Sequence, residues 1–177
     1  MKRRLIEHNS ISLRDGRSVC VRPLTPSDGP ALLAFGRALP FDDDQPITDD
    51  WRNAEVINWL INATVLGHWR QLIATSGDII VGYGAALRLP GWSSHVAEIY
   101  LIISRGWRHT GLNAVLEPLL LAAARDLGAT KAIVELLSEQ QPDRLVFERL
   151  GFRAEGTLNA QSHTLNGQIT KASATQS

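Results

Sequence analysis

Ile99-Tyr-Leu-Ile-Ile-Ser-Arg-Gly-Trp-Arg-His-Thr-Gly-Leu-Asn-Ala114 decides how this chain is read. Its opening residues are apolar and β-prone, glycines interrupt the middle, and Leu112 begins a stretch in which Leu112, Leu116, Leu119, Leu120, Ala123 and Leu127 recur at helical spacing. A strand therefore runs through a glycine-containing loop straight into a helix N-terminus, an end that presents unpaired N–H groups to an anion. Gly106 and Gly111 have the spacing of half a P-loop, but Leu112 and Asn113 stand where Lys and Ser/Thr must reach phosphate and magnesium. That excludes a P-loop nucleotidase. A dinucleotide fingerprint fails as well, because Gly-x-Gly-x-x-Gly is missing and the strand belongs to a meander. Another phosphate-bearing ligand stays open.

Working towards the N-terminus, Pro90-Gly91 breaks the chain before a strand expected over 95–103. Residues 71–75 and 79–89 form a hairpin about Ser76-Gly77-Asp78, preceded by a helix over 51–63. A short helix over 30–39, with Ser27 as a possible cap, follows a first hairpin turned at Asp15-Gly16. Working towards the C-terminus, Gly128 caps the main helix, 131–137 reads as a buried strand, and 143–150 as a short helix stopped by Gly151. Residues 152–158 are extended, and a last strand is placed near 168–172. The fold class is α/β (α+β): a mixed, mostly antiparallel sheet with helices on both faces. Pro118 inside the main helix deletes a backbone bond and should bend it.

One domain over 1–177 is expected, with its core over 11–158 and peripheral ends. Eighteen Lys plus Arg balance eighteen Asp plus Glu, so no general attraction to nucleic acid or anionic membrane is expected. A single cysteine, Cys20, gives no disulfide and no thiolate metal cluster, and the basic start lacks an apolar run. These features suit a cytoplasmic protein without a metal.

The loop then acquires a more specific meaning. Arg108-His-Thr-Gly111-Leu-Asn113 resembles the acetyl-CoA loop of the GCN5-related N-acetyltransferase (GNAT) family, which reads Arg/Gln-x-x-Gly-x-Gly/Ala between a strand and a helix. Val146-Phe-Glu-Arg-Leu-Gly-Phe152, followed by Ala154-Glu-Gly156, is similar to that family's C-terminal signature, at the expected distance. The resemblance covers residues 18–157 and implies a V-shaped gap between the strand ending at Ile103 and the strand starting at Lys131. It implies that backbone groups of Leu101, Ile102 and Ile103 hold the pantetheine arm of acetyl-CoA, and that His109, Thr110, Gly111, Leu112 and Asn113, with Arg108, receive the diphosphate. Gln140 and Phe147 would border the other side.

The resemblance also implies an acyl-CoA-dependent N-acyltransferase whose bound primary amine, on a small molecule or peptide, attacks the thioester directly; a homodimer is a further expectation. Glu98 is the candidate general base, and its other reading is a solvated or paired strand residue. Tyr100 and His95 are weaker candidates. Phe147 stands where many relatives carry a proton-donating tyrosine, and Asn113 where they carry glycine or alanine. These departures motivate the alternative of a non-catalytic acyl-CoA-binding or interaction domain. Asp42, Asp43, Asp44, Asp49 and Asp50 either attract a cationic amine or form a solvated loop.

Overall fold

The computed structural model describes residues 10–40, 50–137, 148–159 and 162–168. The chain order is β1 (Ser10–Ser12), β2 (Ser18–Pro23), α1 (Gly29–Ala38), α2 (Ala54–Ala63), β3 (Trp69–Ser76), β4 (Ile79–Arg88), β5 (Val96–Ile103), α3 (Leu112–Asp126), β6 (Lys131–Leu137), β7 (Arg153–Asn159) and β8 (Ser162–Gln168). The strands form one sheet in the order β1-β2-β3-β4-β5-β6-β8-β7. All neighbours are antiparallel except β5 and β6, the pair that α3 connects. A parallel pair needs such a crossover; of the antiparallel pairs, β1 and β2, like β3 and β4, follow each other across short loops, while β2 and β3 are joined through α1 and α2.

Alternation along the strands separates two cores. Ala97, Ile99 and Ile103 of β5 join Leu112, Leu116 and Leu120 of α3 in one apolar cluster. Ile102 of β5 joins Tyr83, Trp51, Phe35 and Ile57 in the other, under α1 and α2. Glycine permits the close approach of α3 to the sheet: a Cβ on Gly84 would stand 2.7 Å from Leu120 Cδ1. Under α2 the apolar cluster holds one polar chain, in which buried Tyr83 Oη donates to Gln71 Oε1 and Gln71 Nε2 donates to the Leu60 carbonyl, at 2.7 and 2.8 Å. Burial pushes the Tyr83 phenol far up, so it stays a neutral donor.

Several expected boundaries move. The helix before β3 starts at Ala54, because Asn53 Oδ1 accepts from Glu55 N–H and caps it, leaving Trp51 as a buried turn residue in contact with Phe35 and Tyr83. Ser27 does not cap α1: Thr25 and Asp28 form a reciprocal capping box around a 3₁₀ turn at Pro26–Asp28. The first hairpin has a wider loop than a two-residue turn, closed by Leu13 N–H to the Arg17 carbonyl, with Gly16 at φ 84°. The last strand ends at Gln168 rather than starting near it, since its pairing with β6 runs from Leu137↔Ser162 to Lys131↔Gln168. Its polar composition conceals it, and residues 169–172 lie outside the described residues. Pro118 is tolerated within a continuous α3, on its exposed side. Gly128 closes that helix at φ 86°, as expected.

Candidate active site

The site is built around the one parallel pairing. β5 and β6 are in register only from Val96↔Lys131 to Ile99↔Val134. Beyond that point β5 continues to Ile103 paired with β4, while β6 continues to Leu137 paired with β8. The ladder between them ends after four rungs, so residues 100–103 of β5 make no rung with β6. A β-strand edge presents alternating N–H and C=O groups, so Leu101, Ile102 and Ile103 offer an extended ligand a row of backbone partners there. One of them is already engaged: the Ile103 carbonyl accepts from Arg108 Nε at 3.3 Å.

After β5 the chain makes a 3₁₀ turn at Arg105–Trp107 and reaches α3 through His109, Thr110 and Gly111. His109 is the one non-glycine residue with positive φ, 62°, among the described residues, and Gly111 follows at φ 91°. Thr110 is buried and holds the loop from inside, its Oγ1 donating to the Trp107 carbonyl at 2.7 Å while its own carbonyl accepts from Arg14 N–H at 3.1 Å. Gly111 is the N-cap of α3 and supplies no capping side chain. The first-turn N–H groups of α3 therefore receive no cap from Gly111 and stand at the positive end of the helix dipole. Leu112 itself is fully buried and anchors the helix start in the core.

The first hairpin contributes to this loop, which the sequence did not reveal. The Arg14 side chain lies against Gly111, where a Cβ would stand 3.3 Å from its Cγ. Arg17, paired with Asp15, stacks its guanidinium over Trp107 at 4.1 Å from the ring centre. These contacts join residues almost a hundred positions apart, and no local pattern announces them.

Glu98 projects from β5 on the α1/α2 face, the opposite face from Ala97 and Ile99. It is half-buried, beside Leu87 on β4 and Ile133 on β6, at the last rungs before the separation. Tyr100, two residues on, shares that face and donates its hydroxyl to Glu98 Oε2 at 2.5 Å. His95 precedes β5, and its carbonyl accepts from Thr130 and Lys131 N–H. Gln140, Phe147 and four of the five aspartates, Asp42, Asp43, Asp44 and Asp49, lie outside the described residues. Asp50 acts locally, its Oδ1 accepting from Arg52 N–H. No His, Cys, Asp or Glu cluster among the described residues has the makings of a metal centre. No described helix is long and apolar enough to cross a membrane.

The sequence profile of the Acetyltransferase (GNAT) family matches residues 32–152. This chain belongs to the GNAT family. Acetyl transfer from acetyl-CoA is accordingly its activity at the level of the family. Among solved structures, the GNAT domain of S. lividans PAT is similar with a TM-score of 0.78 at 19% identity, covering 91% of this chain and 96% of that one. A GCN5-related N-acetyltransferase from Kribbella flavida gives 0.74 at 20% identity, with 85% and 98% covered. A Salmonella typhimurium structure that contains its cofactor acetyl-CoA gives 0.72 at 14% identity, with 90% and 98% covered. At these identities the likeness is one of fold. A search of curated proteins returned no match.

Proposed function

We propose that this GNAT chain transfers the acetyl group of acetyl-CoA to a primary amine by direct attack of the amine on the thioester. The observation that carries the proposal is the arrangement along β5: Glu98 lies at the last rungs paired with β6, residues 100–103 run on beyond that ladder, and the strand leads into the start of α3 at Gly111. The residues present fit acetyl-CoA. The edge at Leu101, Ile102 and Ile103 would hold its amide-bearing arm, and the N–H groups of His109, Thr110, Gly111, Leu112 and Asn113 its diphosphate, with Arg108 nearby. Acetyl-CoA supplies an activated acyl group. The chain's part is to fix the donor along β5, orient the amine from the α1/α2 face and accept its proton at Glu98.

Direct attack is favoured over a covalent acyl-enzyme because the lone thiol, Cys20, stands on β2, three strands away from β5. The test is release of free thiol from acetyl-CoA with a panel of polyamines, amino acids, aminoglycosides and peptide N-termini. Sustained amine-dependent release is expected, falling by about 10²-fold or more in Glu98→Gln. Binding of acetyl-CoA without release across the panel would favour an inert binding domain.

A further inference from the structure

Direct attack requires the amine to approach from a side that the donor does not occupy. On β5 the residues assigned to the donor all lie C-terminal to Glu98, at 101–103 and in the loop that opens α3. In the other direction β4 and β5 run side by side through Leu87↔Glu98 and Arg88↔Ala97, and Leu89 N–H then donates to the Val96 carbonyl at 2.9 Å. Beside this end of the ladder is an open cavity of about 430 Å³, a size typical of small-molecule sites, lined by Leu87, Leu89 and Pro90 together with His68, Arg88 and Ser94. Leu87 ties the cavity to Glu98, because residues directly opposite in an antiparallel pair share a face, with Cβ atoms about 5 Å apart. The level of Val96 and Leu89 is about 7 Å along the strand from Glu98, while Ile103 is about 17 Å away in the opposite direction.

Much of the polar backbone around the cavity is already engaged. Arg88 N–H donates to the His68 carbonyl at 2.9 Å, and Ser94 N–H to the Gly91 carbonyl at 3.1 Å. Arg88 Nε donates to the Ser94 carbonyl at 2.6 Å, which holds the loop closed on itself, and Pro90 has no N–H to offer. The walls therefore present chiefly hydrocarbon to a ligand, with the Arg88 guanidinium as a fixed positive charge. Among the described residues no carboxylate lines the cavity, so a second ammonium brought there would meet a like charge and no counter-ion. Resting on the acetyl-transfer reading, we propose that this cavity is the acceptor subsite and that it selects monoamines with an apolar body. The amine end lies at Glu98, the alkyl or aryl body leaves water against Leu87, Leu89 and Pro90, and diamines and polyamines are disfavoured by Arg88.

Straight-chain amines test the subsite, since ethylamine, butylamine and hexylamine have nearly equal basicity and differ in apolar area. Thiol release from acetyl-CoA by the full chain should show kcat/KM rising about fourfold for each added methylene. Hexylamine should exceed hexamethylenediamine, which has the same carbon chain and a second ammonium, by about tenfold or more. Leu89→Gln should flatten the chain-length series, lowering kcat/KM for hexylamine by about tenfold, with acetyl-CoA affinity and melting temperature as in wild type. Arg88→Gln should narrow the gap between hexylamine and hexamethylenediamine. Release that does not depend on chain length in the wild type, or that is equal for the monoamine and the diamine, overturns the subsite and leaves acetyl transfer standing. A dimer in sedimentation that Leu89→Gln dissociates would assign this wall to a second copy of the chain and overturn the subsite as well. A wild type with no release for any amine overturns the transfer reading and the subsite together.

Discussion

Asp28 illustrates how one side chain fixes the entry to a helix. Arg22 donates to both of its oxygens at 2.7 Å, and Oδ2 also accepts from Thr25 N–H and Oγ1 at 2.8 and 2.7 Å. The Arg22 bond is the main reason its pKa is held down to about 2, against an ordinary 3.8. A carboxyl with a folded pKa below its unfolded one adds stability that is complete above the unfolded value and disappears as pH falls to the folded one. Asp28→Asn is therefore expected to cost on the order of 2 kcal/mol at neutral pH. The gap to wild type should close between pH 3.8 and about 2, as read from denaturant midpoints across that range. A gap that does not change with pH would assign the effect to shape rather than charge. At this scale the sequence was least informative: it suggested Ser27 as the cap, because a long-range guanidinium partner for Asp28 leaves no trace in local pattern. The positions of Glu98 on β5 and of Gly111 at the start of α3 were legible, since alternation and a glycine before a helical stripe are local properties.

Among elements, α1 makes the tightest approach found at any described glycine. A Cβ on Gly36 would lie 2.0 Å from the Trp51 carbonyl oxygen, a backbone atom that cannot rotate away. Gly36→Ala is expected to destabilise the protein by ~2 kcal/mol or more, despite the better helix propensity of alanine. Equilibrium unfolding measures this, and a variant as stable as wild type would mean that α1 can slide over the Trp51 turn. Elements with strong periodicity, α3 above all, were readable to within a residue or so, although Leu119 of the expected stripe is exposed and the buried face runs through Leu112, Leu116, Glu117, Leu120, Leu121 and Ala124. β8 was misplaced because Ser162–Gln168 carries little apolar signal and is specified by its pairing with β6 and β7. Propensity says little about a strand whose partners define it.

For the molecule as a whole, the sheet order brings the elements of the candidate site together. The crossover through α3 creates the one parallel pair, that pair separates after Ile99↔Val134, and the same crossover carries the helix N-terminus back to the end of β5. Sequence motifs named the two ends of this arrangement, the loop at Arg108 to Asn113 and the strand bearing Glu98. They did not show that the hairpin bearing Arg14 and Arg17 packs against the loop, since that contact depends on β2 pairing with β3 and on the wide turn that follows β1. Net neutrality now has a local counterpart, with Arg14, Arg17, Arg105 and Arg108 gathered in or beside the loop that opens α3. The proposed function requires this loop and residues 101–103 of β5 to bind acetyl-CoA. Calorimetric titration of the full chain with acetyl-CoA tests it most directly, with Gly111→Val as the paired variant, since a β-branched side chain at φ 91° distorts the loop. Saturable binding at micromolar ligand is expected, weakened at least tenfold by Gly111→Val; a wild-type protein that gives no binding heat at millimolar acetyl-CoA would contradict this.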